Sequence, residues 1–258
     1  MLFVGDSVSH NVNLGLLERN TNTRIKSIKA YSSVEDMKAR WPHKNFTDVT
    51  AAALLNVPEE DKFTGLFLAA PTVDISNLYT ANMTKDDNIE VFKQSIISSC
   101  HSMHSVAKKA ISAHPELKKV TLMEHAPRHD KPDVDPSGLK SKLAIFANST
   151  LALLLQNSEL KDRIVLGKHT LDVANNKTAA MYRDDWSGKF DGVHMYGSYG
   201  KQAYTRSVSK IMKSSLSNNS SSQTSSSSSI HSSCPQTVYQ TKQMFSVPVS
   251  NRFNVLGN

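Results

Sequence analysis

The sequence predicts an α/β domain, with a five-stranded parallel sheet between two layers of helices, followed by a disordered C-terminal tail. Three observations carry this. Five short strand-like runs alternate with helix-like stretches up to residue 212. One of them, Phe63–Ala70 (Phe-Thr-Gly-Leu-Phe-Leu-Ala-Ala), is apolar almost throughout, as expected of a central parallel strand covered on both faces. After Lys213 the composition turns abruptly to Ser, with Asn, Gln and Thr.

Met1–Val4 is the first predicted strand, and Gly5, Asp6 and Ser7 form a tight turn after it. Residues 9–20 hold Val12, Leu14, Leu16 and Leu17 among polar residues and read as a first helix. Arg24–Ala30 mixes apolar and basic residues, which suits a strand with one face at the surface, and Tyr31-Ser32-Ser33 ends it. Trp41-Pro42 breaks the next segment, and Thr47–Val57 is a short helix. Phe63–Ala70 is the third strand, stopped by Pro71. Asp86–His114 is the longest helix, with Phe92, Ile96, Cys100, Met103 and Ala107 at helical spacing and Pro115 at its close. Lys118–Glu124 is the fourth strand, Pro127–Pro136 a loop, and Ser137 opens a helix through Leu155. Arg163–Leu166 is the fifth strand, 172–190 is mainly loop around Trp186, and Gly200–Met212 is the last helix. Right-handed crossovers should join the parallel strands.

At 258 residues the chain accommodates one such domain (1–212), a Ser-rich linker (213–237) and a flexible tail (238–258). The linker has too little apolar surface to offset its chain entropy. The tail regains Val238, Tyr239, Met244, Phe245, Phe253 and Val255, which suits a short linear element for a protein partner. A net charge of +7 eases contact with nucleic acid or acidic lipid. The Lys and Arg residues form no compact patch with interleaved aromatics, so only weak nucleic-acid binding is expected. Cys100 and Cys234 alone allow neither a disulfide framework nor a zinc site. No signal peptide and no apolar run of membrane-spanning length is visible. A cytoplasmic location is expected, subject to any segment upstream of the first strand.

The turn Gly5-Asp6-Ser7 puts a serine where ligands of open α/β sheets bind, at the carboxyl end of a strand. The plainer alternative is that Asp6 or Ser7 only caps the following helix. Far downstream, residues 191–194 read Asp-Gly-Val-His. An early Gly-Asp-Ser paired with a late Asp-x-x-His resembles the GDSL/SGNH hydrolase family over residues 1–212. The resemblance implies a flavodoxin-like three-layer fold with strand order 2-1-3-4-5. It also implies a catalytic triad of Ser7 as nucleophile, His194 as base and Asp191 as the group that orients the imidazole. A serine hydroxyl is a poor nucleophile until a base takes its proton, and histidine titrates near neutral pH. A carboxylate one turn before His194 can reach Nδ1 and leave Nε2 for Ser7.

The oxyanion hole departs from the family pattern. Where the family has Gly-x-Asn-Asp after the third strand, this chain has Pro71-Thr72-Val73-Asp74. Asp74 matches, but Val73 cannot donate a hydrogen bond. No glycine follows the second strand, so candidate donors are backbone N–H groups at Ser7, Ala30 and Tyr31, with Asn77 or Thr72 as side-chain substitutes. The expected activity is hydrolysis of a small carboxylic ester through an acyl-serine intermediate, with no cofactor and no metal. The rival is a domain of the same fold that catalyses little or nothing and binds nucleic acid or protein. Domains of this type also occur within mobile-element polyproteins. The remaining histidines have no metal-ligand spacing. His125 and His129 follow the fourth strand, where a substrate contact is one reading, and are expected rather to be solvated loop residues.

Overall fold

Four-residue apolar runs can be buried on both faces only if helices flank the sheet on both sides. The computed structural model of the protein does this, and it describes residues 1–6, 8–29, 62–69, 89–129, 138–171, 181–182, 192–195 and 197–217. Its strands are β1 (Leu2–Gly5), β2 (Lys26–Lys29), β3 (Gly65–Leu68), β4 (Lys119–Met123) and β5 (Ile164–Gly167). All neighbours pair in parallel, in the order β2-β1-β3-β4-β5. Phe3 stands opposite Ser27 on one side and Phe67 on the other, and Phe67 in turn opposite Thr121.

The period-two pleat divides the strand residues between two cores. Leu2, Val4, Leu66, Leu68, Val120 and Leu122 face one way, against α2 (Ile89–Ala113) and α3 (Leu139–Gln156). Phe92, Ile96, Met103 and Ala107 of α2 and Leu143, Ala147 and Leu151 of α3 are buried in that cluster. Phe3, Phe67 and Met123 face the other way, against α1 (Leu14–Thr21) and α4 (Gly197–Ser217) through Leu17, Tyr204, Val208 and Ile211. The three layers and the strand order are those implied by the GDSL/SGNH resemblance.

Two helices differ from the sequence reading. The stretch 9–20 is not one helix: a 3₁₀ turn covers Ser9–Asn11, and α1 begins only at Leu14. Asn13 causes the break. Its Oδ1 accepts from the Leu16 N–H at 3.0 Å, while its own N–H donates to Thr205 Oγ1 of α4 at 3.0 Å. Asparagine is worth more as a cap than inside a helix. The last helix is longer at both ends than 200–212. Three of its hydroxyls are satisfied within the helix or by the sheet: Thr205 Oγ1 donates to Lys201 O, Ser209 Oγ to Thr205 O, and Ser215 Oγ pairs with Thr121 Oγ1 of β4 at 3.0 Å. The predicted helix 47–57, Trp186 and the tail lie outside the described residues. No helix among the described residues is long and apolar enough to cross a membrane.

Candidate active site

β1 lies where the sheet changes direction: β2 is on one side of it, and β3, β4 and β5 follow on the other. The crevice beyond the carboxyl ends of the strands at such a switch point is the usual ligand site of an open α/β sheet. Gly5 is the last residue of β1. A Cβ there would meet Ser9 Oγ at 1.8 Å, so the chain can turn back this tightly only on glycine. The turn is fixed by Asp6, which is 1% exposed. Its Oδ1 accepts from the N–H groups of Val8 at 3.0 Å and Ser9 at 3.3 Å, and Ser9 Oγ donates back to Asp6 O at 2.7 Å. Asp6 thus fills the capping role that was one alternative for this turn. Burial, with the Asp6 charge adding to it, holds the Tyr204 phenol well above its ordinary pKa.

Of the residues singled out in the sequence, Ser7, Asp191, Ala30, Tyr31, Thr72, Val73, Asp74 and Asn77 lie outside the described residues. His194 is half-buried in the short segment that precedes α4. Two anchors hold this segment. The Met195 side chain is fully buried in the α1–α4 core, with Val193 packed against it. On the other side the His129 N–H donates to Gly192 O at 2.8 Å. The loop after β4 thus supports the His194 segment. That loop is itself supported by Tyr182, whose hydroxyl donates to Pro127 O and whose ring stacks on His129 at 6.2 Å. This role of Tyr182 and His129 had no signal in the sequence, because both work through contacts between distant segments.

The expectation of a solvated His125 is corrected: it is 5% exposed. The side-chain amide of Asn148 on α3 clamps its backbone, accepting from His125 N at 2.8 Å and donating to His125 O at 3.2 Å. Burial, helped by the Arg128 charge, pushes the imidazole down to about 3. His169, just past β5, pairs through Nδ1 with Ser207 Oγ at 3.0 Å and stacks on Tyr204. Burial pushes it down to about 4. Glu124 accepts the His169 N–H at 3.2 Å, and burial raises its carboxyl pKa.

Both histidines are neutral in the fold and would protonate near pH 6.5 once unfolded, so the unfolded chain binds more protons below that pH. Stability should be complete above about pH 6.5 and fall toward pH 4, by at most about 1.4 kcal/mol per unit for each group. A thermal midpoint that stays constant from neutral pH to pH 4 would contradict this placement of His125 and His169.

Among the described residues no cluster of three or more His, Cys, Asp or Glu could hold a metal ion. Burial pushes the Cys100 thiol up to about 12, which makes it a packing residue rather than a nucleophile.

No protein-family model and no curated protein sequence matches the chain. Solved structures do. A GDSL-like lipase from Bacteroides thetaiotaomicron is similar at 12% identity and a TM-score of 0.47, over 83% of this chain and 88% of that one. A phospholipase A1 from Streptomyces albidoflavus is similar at 12% identity and a TM-score of 0.48, over 83% and 98%. The aryl esterase of M. smegmatis is similar at 12% identity and a TM-score of 0.49, over 83% and 97%. The fold rests on the chain's own strand pairing, whose order β2-β1-β3-β4-β5 between two helical layers is the one the GDSL/SGNH resemblance implies.

Proposed function

We propose that the domain is a serine hydrolase that cleaves small carboxylic esters, with Ser7 as nucleophile, His194 as general base and Asp191 orienting the imidazole. One observation carries the reading. The Gly-Asp-Ser turn follows β1, the strand at the switch point of the sheet, where a ligand crevice belongs. The segment bearing His194 is anchored independently, by Met195 and by the His129–Gly192 hydrogen bond.

On this reading His194 takes the Ser7 proton as Oγ attacks the ester carbonyl carbon. The tetrahedral oxyanion is met by backbone N–H groups at Ser7, Ala30 and Tyr31. His194 then returns the proton to the departing alcohol, leaving an acyl-serine, and water attacks that intermediate with His194 again as base. Asp191 keeps its charge throughout.

A fluorophosphonate probe tests the nucleophile. Wild type should be labelled at Ser7 alone, and Ser7→Ala should abolish labelling with an almost unchanged thermal midpoint. Labelling that persists in Ser7→Ala moves the nucleophile elsewhere, and an unlabelled, folded wild type removes the esterase reading.

The oxyanion hole gives a second test. A lost donor costs about 2.7–4 kcal/mol. Val73→Asn restores an amide of similar size at the position where the family carries asparagine. With Pro71 in place of glycine, the recovery should be about tenfold, in kcat rather than KM. The gain should vanish in the Ser7→Ala background. A folded Val73→Asn protein that is no faster than wild type on a short-chain aryl ester would show that Val73 is not the missing donor's position.

A further inference from the structure

The two outer layers of the domain differ in charge. On one side α4 exposes Lys201, Arg206, Lys210 and Lys213. On the other, residues 94–107 of α2 and 143–156 of α3 include no Lys, Arg, Asp or Glu, although 21% of the chain's residues are charged. α2 turns small polar residues such as Ser98 and Ser105 outward. α3 instead exposes Ile145 by 66% and Leu153 by 61%. Its inner side is apolar too, with Leu143, Ala147 and Leu151 buried in the core. A helix that is apolar on both faces is normally covered on both.

The register of this outer face says what covers it. At 3.6 residues per turn, Lys142, Ile145, Ser149, Leu153 and Gln156 fall along one line, and all are exposed. Ser149 is its midpoint: Ile145 and Leu153 stand four residues to either side, and Lys142 and Gln156 seven. Two such helices packed antiparallel about a two-fold axis at Ser149 set each Ile145 against Leu153 of the other copy, and each Lys142 against Gln156. Phe146 and Ala152, half-buried at the edge of the line, meet in the same way, a large side chain against a small one. The central Ser149 is small enough for close approach. Its hydroxyl already donates to Ile145 O at 3.0 Å, so burying it strands no donor.

Charge fits the same register. The last turn of α3 is the negative end of the helix dipole and has no basic residue of its own. The partner's Lys142 arrives there. Two copies of net charge +7 repel each other, but through this seam they bring no cation opposite another.

We propose that two copies of the chain associate through α3, antiparallel about a two-fold axis at Ser149. A seam one helix wide and about 21 Å long is smaller than a standard interface of about 800 Å² per partner, so the dimer is weak, with a Kd of about 100 μM. The association does not depend on Ser7 or on any esterase activity.

The test is sedimentation velocity of the full chain from about 5 to 500 μM, where a reversible monomer–dimer equilibrium is expected. Ile145→Lys and Leu153→Glu each change an exposed side chain, so both variants should fold with an almost unchanged thermal midpoint. Each should weaken association by about tenfold or more, because a symmetric interface takes every substitution twice. Mixing the two variants tests the register. In the mixed pair one contact sets the new ammonium against the new carboxylate, and the other keeps the native Ile145 and Leu153. The mixture should therefore associate about fivefold more tightly than either variant alone, or better. A parallel pairing, or another segment of the chain docked on α3, gives no such rescue. Wild type that stays monomeric to about 500 μM overturns the proposal. So does a dimer that both folded variants leave unchanged, and so does a mixture no tighter than its components.

Discussion

His194→Ala is expected to lower turnover of a short-chain aryl ester by about 10⁴-fold or more, with KM little changed. The members of a nucleophile–base pair act as a unit, so removing the base alone removes nearly all the benefit of the nucleophile. The loss should fall on kcat, because proton transfer from Ser7 matters only once the transition state is reached. His194 is half-buried, and the neighbouring Met195 supplies the packing, so the substitution should leave the fold intact. Single-turnover rates for wild type and variant, with circular dichroism to confirm folding, decide the matter. A folded His194→Ala protein within tenfold of wild type would assign the base elsewhere.

Gly200→Ala is expected to lower stability by about 2–3 kcal/mol, a fall in thermal midpoint of about 4–12 °C for a domain of this size. An alanine inside a helix ordinarily gains about 1 kcal/mol over glycine, so the expected sign runs against propensity. The reason is contact with backbone. A Cβ at position 200 would stand 2.0 Å from Met181 O and 3.2 Å from the Met195 carbonyl carbon. Neither can move aside like a flexible side chain. Relief requires α4 to shift away from the 181–182 segment, which carries Tyr182. Ester turnover should therefore drop as well, even at temperatures where the variant remains folded. Differential scanning calorimetry of Gly200→Ala checks the first effect, and an unchanged or raised midpoint would refute the close approach.

The central strands were legible because burial on both faces writes a continuous apolar run into the chain. Leu66, Phe67 and Leu68 are each close to fully buried, and the predicted strand includes all three. α2 was legible for the related reason that Phe92, Ile96, Met103 and Ala107 keep helical spacing. The misreadings have local causes. Asn13 ends one element and caps the next, and a hydrophobicity pattern does not register a cap. The serines of α4 resemble the start of the tail, yet Ser209 and Ser215 find partners in the helix and in β4. For the candidate site, the Gly-Asp-Ser and Asp-x-x-His motifs could be seen as words in the sequence. His125 could not: its burial depends on Asn148, one helix later, and a cavity beside it is walled in part by His169, beyond the next strand. Such convergence exists only in three dimensions.

The two faces of the sheet also differ in when they can be completed. During synthesis, segments become available in order from the N-terminus. Among the described residues, the face under α2 and α3 draws on positions up to Leu166, all of which precede α4 in the chain. The opposite face needs Tyr204, Val208, Ile211 and Met212 of α4. Until that helix leaves the ribosome, Phe3, Phe67 and Met123 lack its four side chains and have, among the described residues, α1 and loop residues such as Val8, Met181 and Tyr182 for cover. The nascent domain is therefore a finished half with one sticky side, and α4, which also fixes the end of the His194 segment, is the last piece to close it.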